Sequence, residues 1–256
     1  MTFIKINGVD LAVEEKGKGT PAPIVFVHGW TANMHRYDEQ FAFFSKRRRV
    51  IRYDLRGHGQ SAICETGFEI EQLADDLYQL LKKLKVKKAV LVGHSMGGMT
   101  IQRLALDHPE MVDRLILVDT TAKMVYSPFV SLQMNLVKHF PFKLFVKINI
   151  TRAFMKSYPK KQLKEMIRMS QQTPKNVVLP FFDSMQKFDV LSQISSIKAR
   201  TLIVHGLHDI QLPLHQAVRI ACAIPAATMK IIESGHELPL EQPEKLTAAM
   251  DDFLNS

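Results

Sequence analysis

The sequence has 256 residues, 46% hydrophobic and 23% charged, with 12 Gly and 12 Pro spread along it, which excludes collagen-like, disordered and low-complexity chains. Its net charge is +9, and its two cysteines, Cys64 and Cys222, lie far apart without metal-ligand spacing, so they read as reduced thiols and no metal is expected. No run of about 18 apolar residues offers a membrane span, so a cytoplasmic protein built as one large α/β domain, or a core with an insertion, is expected.

The N-terminal "MTFIKINGVDLAVEEKG" alternates apolar and polar residues around Asn7-Gly8, which predicts a β-hairpin and lacks the apolar core of a signal peptide. Short apolar runs follow in "APIVFVHG", "RVIRYDLRG", "KAVLVGH", "RLILVD", "ARTLIVHG" and "TMKIIE", each suited to a strand covered on both faces. Helical patterns fall between them. "EIEQLADDLYQLLKKLK" puts Ile70, Leu73, Leu77, Leu80, Leu81 and Leu84 on one stripe, and "PEKLTAAMDDFL" closes the chain. This alternation predicts a mostly parallel sheet with helices on both faces.

Between residues 122 and 188 the alternation stops. Prolines at 128, 141, 159, 174 and 180 divide this stretch into short helical pieces, which predicts a helical insertion between two strands. It is rich in Phe, holds six of the 13 methionines, and carries 12 Lys and Arg against Glu165 and Asp183, so the excess positive charge of the chain sits here. Phe and Met supply either a pliable apolar pocket or the packing of the insertion on the core. The charge reads as a solvated basic face, a membrane-surface helix in "FKLFVKINITRAFMKSYPKKQLKEMIRM", or a dock for an acidic partner. No nucleic-acid-binding motif accompanies it, so nucleic acid is set aside.

"GHSMG" (93 to 97) fits G-x-S-x-G between a strand and a helix. A sharp turn there would strain Ser95 and present its hydroxyl, with Gly93 and Gly97 clearing the space; the alternative is an ordinary Gly-rich turn. A serine hydroxyl needs a base oriented by an acid. Past the later strands, "TLIVHGLHD" puts Asp209 in a loop and "KIIESGHELPLEQP" puts His236 in the next, giving the order Ser95, Asp209, His236. Asp119, also at a strand exit, is the rival acid, or it caps the loop entering the insertion. His94 is expected to point away from Ser95, and His205 and His208 to serve packing or turns. Oxyanion donors are expected from the backbone N–H of Met96 and of Trp30, the latter in the turn allowed by Gly29. The Trp30 side chain lines the pocket or sits in the core.

With "VHGW" (27 to 30), "DLRGHGQS" (54 to 61), "GHSMGG" (93 to 98), "HPEMVDRLILVD" (108 to 119), "VHGLHDIQLP" (204 to 213) and "SGHELPLEQPE" (234 to 244) in this order, the chain resembles the α/β-hydrolase superfamily, in the branch of small cap-bearing serine hydrolases. The resemblance runs from about Ile24 to the C-terminus and implies an eight-stranded, mostly parallel sheet whose second strand is antiparallel. It implies a core of residues 1–121 and 189–256, with a helical cap of residues 122–188 inserted after the sixth strand. It maps nucleophile, acid and base onto Ser95, Asp209 and His236 and the oxyanion donors onto Trp30 and Met96, with a pocket expected from Trp30, Phe129 and Phe154 and no cofactor. "DLRGHGQS" reads as a structural loop.

Dehalogenases and epoxide hydrolases of this superfamily need a carboxylate where Ser95 stands. Meta-cleavage C–C hydrolases usually carry Trp after the base, where this chain has Glu237. Cofactor-free haloperoxidases share the triad but have small pockets. Pimeloyl-carrier-protein methyl ester esterases resemble the chain and use a basic cap toward an acidic carrier. The expected function is therefore a carboxylic-ester hydrolase acting through an acyl-enzyme. A C–C hydrolase and a slowly turning ligand receptor are the alternatives, and an acidic carrier protein or an anionic membrane surface is the partner expected at the basic cap.

Overall fold

The structure, a computed structural model, describes residues 1–19, 21–125, 141–155, 157–225 and 227–256. Eight strands form one sheet: β1 (Thr2–Ile6), β2 (Val9–Lys16), β3 (Ile24–Val27), β4 (Val50–Tyr53), β5 (Ala89–His94), β6 (Val112–Val118), β7 (Arg200–Gly206) and β8 (Ala227–Ile232). Their order is β1-β2-β4-β3-β5-β6-β7-β8. β2 runs antiparallel to both β1 and β4, and from β4 to β8 every pairing is parallel. The hairpin between β1 and β2 closes through Asn7 (φ 46°) and Gly8 (φ 82°), the left-handed pair that the Asn-Gly dipeptide favours.

The near-continuous apolar strands are explained by burial on both faces. Along β5, Leu91 joins a cluster with Leu77 and Ile101, while Val90 and Val92 join another with Phe41 and Met250. The first face is covered by α2 (Ile70–Lys83), α3 (Met96–Asp107) and α7 (His215–Ala223). The second is covered by α1 (Asp38–Phe44) and α8 (Pro243–Asn255).

Between β6 and β7 lie α4 (Phe142–Ala153), α5 (Lys160–Ser170) and α6 (Lys175–Lys187). The chain leaves and re-enters the sheet unit at one place, where Val190 N–H donates to Ala122 O (2.8 Å) and Met124 N–H donates to Phe188 O (3.0 Å). Phe145, Ile150 and Phe154 form a small cluster that Trp30 and Leu240 close from below. Phe181, Phe182, Met185 and Phe188 instead join the main core. Much of the Phe and Met content is thus spent on seating the inserted helices. Among the described residues no helix is long and apolar enough to cross a membrane.

Candidate active site

Parallel β3, β5, β6, β7 and β8 are consecutive neighbours or nearly so, and their carboxyl ends bring Trp30, Ser95, Asp119, Asp209 and His236 to one edge of the sheet. Ligands of open α/β sheets bind at this edge, where the order of strands turns around.

Ser95 joins β5 to α3 with φ 52° and ψ −119°, a conformation that is costly for a residue bearing a side chain. The flanking glycines make the turn possible. A Cβ on Gly93 would lie 2.4 Å from Gly97 O, and one on Gly97 would lie 2.2 Å from Val27 O. Gly98 is a third such position, since its Cβ would meet the Thr120 side chain at 2.5 Å. Thr31 (φ 54°) and Asp119 (φ 43°) hold the same left-handed region at the exits of β3 and β6, so strain gathers around this edge.

Half-buried Ser95 has its Oγ 3.0 Å from His236 Nε2, and His236 Nδ1 lies 2.7 Å from Asp209 Oδ2. The Asp209 carboxylate is fixed in turn, its Oδ1 accepting from Gln211 N–H (2.8 Å) and Leu212 N–H (2.9 Å). The three residues placed together by chain order therefore form one continuous relay. Burial opposes a charge on His236, but the Asp209 charge and hydrogen bond, with Asp119 and Glu237, outweigh it and raise its pKa to about 9.

Among the described residues Asp119 reaches two remote loops. Its Oδ1 accepts Gly206 N–H (2.8 Å) and its Oδ2 accepts Leu238 N–H (3.3 Å), so it braces the loops that carry Asp209 and His236. Burial first, and the Asp209 charge second, push its carboxyl well above the usual range. His205 is wholly buried between the two acids, Nδ1 3.6 Å from Asp119 Oδ1 and Nε2 4.0 Å from Asp209 Oδ2. Donor atoms of Asp119, His205 and Asp209 lie within 4.8 Å of one another, a set that can be considered for a cation. Their chemistry fits poorly, because each carboxylate already accepts N–H donors and the two ring nitrogens face different acids.

His94 engages the loop of His236. It lies 2.7 Å through Nε2 from His236 O, and because a carbonyl only accepts, that nitrogen carries the proton. His208 pairs with Glu233 at the surface. "DLRGHGQS" is a brace: Leu55 N–H donates to His28 Nε2 (3.0 Å), and Asp54 accepts from Met34 N–H and Gln60 N–H, both at 2.7 Å.

The turn after β3 presses on the nucleophile, since a Cβ on Gly29 would sit 3.1 Å from Ser95 Cβ. The Trp30 amide follows directly. Met96 N–H is the first amide of α3 and part of the positive end of that helix, where an amide has no acceptor four residues earlier within the helix. The Trp30 indole N–H donates to Val178 O on α6 (3.0 Å) and its ring packs on Phe145 and Phe182, at 6.2 and 5.5 Å between centroids. Phe154 is buried and packs against Tyr158, with ring centroids 4.3 Å apart and planes tilted by 32°. Phe129 lies outside the described residues.

Directly after the base, buried Glu237 pairs with buried Arg36 (3.2 Å), whose other contact is Met166 Sδ on α5 (3.5 Å). Glu237 drew notice in the sequence only as the residue that follows His236, and Arg36 not at all, because nothing in a pattern marks a charge as buried. A cavity of about 410 Å³ adjoins this pair, between Thr31, Arg36, Met166 and Leu240; Ser95 and His236 do not line it.

The chain of contacts from Ser95 on its strained strand-to-helix turn through His236 to Asp209, each carried past the end of a different strand, has the geometry of a serine hydrolase-like site on a mostly parallel sheet. Residues 22–243 match the α/β-hydrolase-fold family, and the chain belongs to it. It is 25% identical to 3-oxoadipate enol-lactonase 2 of Acinetobacter baylyi over 92% of this chain and 89% of that protein. The crystal structure of the enol-lactonase from Burkholderia xenovorans LB400 superposes with a TM-score of 0.93 at 27% identity, covering 100% of both chains. A thermophilic esterase from Thermogutta terrifontis gives a TM-score of 0.90 at 27% identity, covering 100% of this chain and 98% of that one.

Proposed function

We propose that the chain hydrolyses carboxylic esters, cyclic esters included, through an acyl-enzyme. The observation that carries this reading is the relay Ser95–His236–Asp209, closed at 3.0 and 2.7 Å with Ser95 on its strained turn. His236 takes the Ser95 proton as Oγ attacks the carbonyl, and Asp209 stabilises the imidazolium that results. The amides of Trp30 and Met96 receive the negative oxygen. The imidazolium then returns its proton to the departing alkoxide, and water activated by His236 releases the acid. For a lactone the leaving hydroxyl stays attached to the acyl group. Lactonase and esterase relatives support this substrate class.

In this reading residues 122–188 act as the cap. The bonds that tie the inserted helices to loops of the site include Trp30 Nε1–H to Val178 O (3.0 Å), Gln211 Nε2–H to Asn149 O (3.1 Å) and His236 N–H to Ala153 O (2.7 Å). The basic outer faces of α4 and α5 suit an anionic partner. Ser95→Ala should reduce hydrolysis of p-nitrophenyl esters to background, and wild-type turnover in that variant would sink the assignment. A chain-length series from acetate to palmitate, with a γ-lactone alongside, reads the pocket's preference by the position of its optimum.

A further inference from the structure

His236 must keep its ring between Asp209 and Ser95 through a reaction in which it gains and loses a proton. Its loop leaves β8 with no strand beyond to brace it, since β8 is the edge of the sheet. The bonds that hold this loop come from elsewhere, and two of them meet on one carboxylate that also reaches the inserted segment. Glu241 Oε2 accepts Gly235 N–H at 2.6 Å and the Ser234 hydroxyl at 2.9 Å. Its Oε1 accepts Met155 N–H, at the end of α4, also at 2.6 Å. The clasp is completed where His236 N–H donates to Ala153 O (2.7 Å). The fit leaves no slack: a Cβ on Gly235 would lie 2.5 Å from Ala153 O and 2.9 Å from Glu241 Oε2.

We propose that Glu241 is a positioning residue: its carboxylate joins the loop of the base to the end of α4, so that the seating of the inserted helices sets the orientation of His236. The proposal rests on the hydrolase reading for its kinetic consequence, but not for its structural one. Glu241 touches no reacting atom. Each of its three bonds has a donor on the protein side, so only a group that accepts at both ends can serve. A carboxamide places an NH2 against either Met155 N–H or Gly235 N–H. An ångström of drift in a catalytic group costs on the order of 100-fold in rate, so a remote group with no chemistry of its own can still govern turnover.

The test is Glu241→Gln, made in the full chain. Its kcat on p-nitrophenyl butyrate is expected to fall about 10- to 100-fold while KM stays within about threefold, because the pocket is kept and the base is displaced. A proton NMR spectrum gives a readout that needs no substrate. The downfield resonance of the His236 Nδ1 proton, held by Asp209, should shift or broaden in the folded variant. Ser234→Ala, which removes one donor and leaves the carboxylate, should change both readouts in the same direction by less, and it serves where Glu241→Gln does not fold. An unaltered resonance in the folded variant, or kcat within about twofold of wild type, overturns the proposal. A wild-type protein that turns over no ester refutes the hydrolase reading instead, and the resonance then decides the role of Glu241 alone.

Discussion

A histidine that shares its pocket with Asp209, Asp119 and Glu237 is held in favour of its proton, against the burial that would expel it, up to about 9. His94 and His205 also face it, but burial lowers both, so neither competes as a cation at neutral pH. A general base works only when neutral, so kcat/KM should rise with pH along a limb set well above the ordinary histidine value of 6.5. Glu237→Gln should move that limb to lower pH, because it removes an anion and also leaves the Arg36 charge uncompensated nearby. A pH profile with its limb unmoved would refute this account of the field. Stability runs the other way. A pKa raised in the folded state adds stability that is complete below 6.5 and is lost as pH rises through about 9, so Tm should fall over the window in which activity climbs.

The elbow shows at the level of elements what the sequence made legible and what it hid. The order Ser95, Asp209, His236 could be read because each residue directly follows an apolar run that must be a strand, and strand exits of a parallel sheet share one edge. Gly93 could be read because the atoms that crowd it, Gly97 O and Gly98 N, lie across the same turn, whereas Gly97 is needed for a different reason, the close approach of β3. Gly97→Ala should accordingly cost about 1–3 kcal/mol and most of the activity, since its Cβ would meet the β3 carbonyl of Val27 at 2.2 Å and α3 would have to shift; a denaturant titration measures the loss. The braces were hidden because their partners are remote. His94 reaches a carbonyl 142 residues away and Glu241 an amide 86 residues away. Asp119 stood at a strand exit like Asp209, and only the coordinates separate the acid that touches His236 from the acid that ties two loops together. The inserted segment was the least legible, because Phe and Met pack a core and line a pocket with the same residues.

At the scale of the molecule, the charge of +9 is distributed with a direction. On α4 the exposed residues Lys143, Leu144, Lys147, Ile148, Thr151 and Arg152 recur at helical spacing and form one outward stripe. Leu144 and Ile148 are 41% and 45% exposed, and what sets them apart from other exposed aliphatics is that they sit one helical turn apart among the cations. Neighbouring α5 adds exposed Lys160, Lys161, Lys164 and Arg168 against the single acid Glu165, which Arg168 pairs at 2.6 Å. An anionic lipid surface takes cations at the headgroups and aliphatics just beneath them, the arrangement this stripe offers. The protein is therefore expected to co-sediment with vesicles containing phosphatidylglycerol and not with phosphatidylcholine alone, and to be released as salt shortens the screening length to roughly 3 Å near 1 M. Lys143→Glu with Lys147→Glu should weaken binding, while leaving p-nitrophenyl ester turnover in free solution unchanged because neither residue contacts the relay. Equal binding to both vesicle types, or none to either, would refute the lipid assignment, and in the second case salt-sensitive binding to an acidic carrier protein would give the basic face its other use.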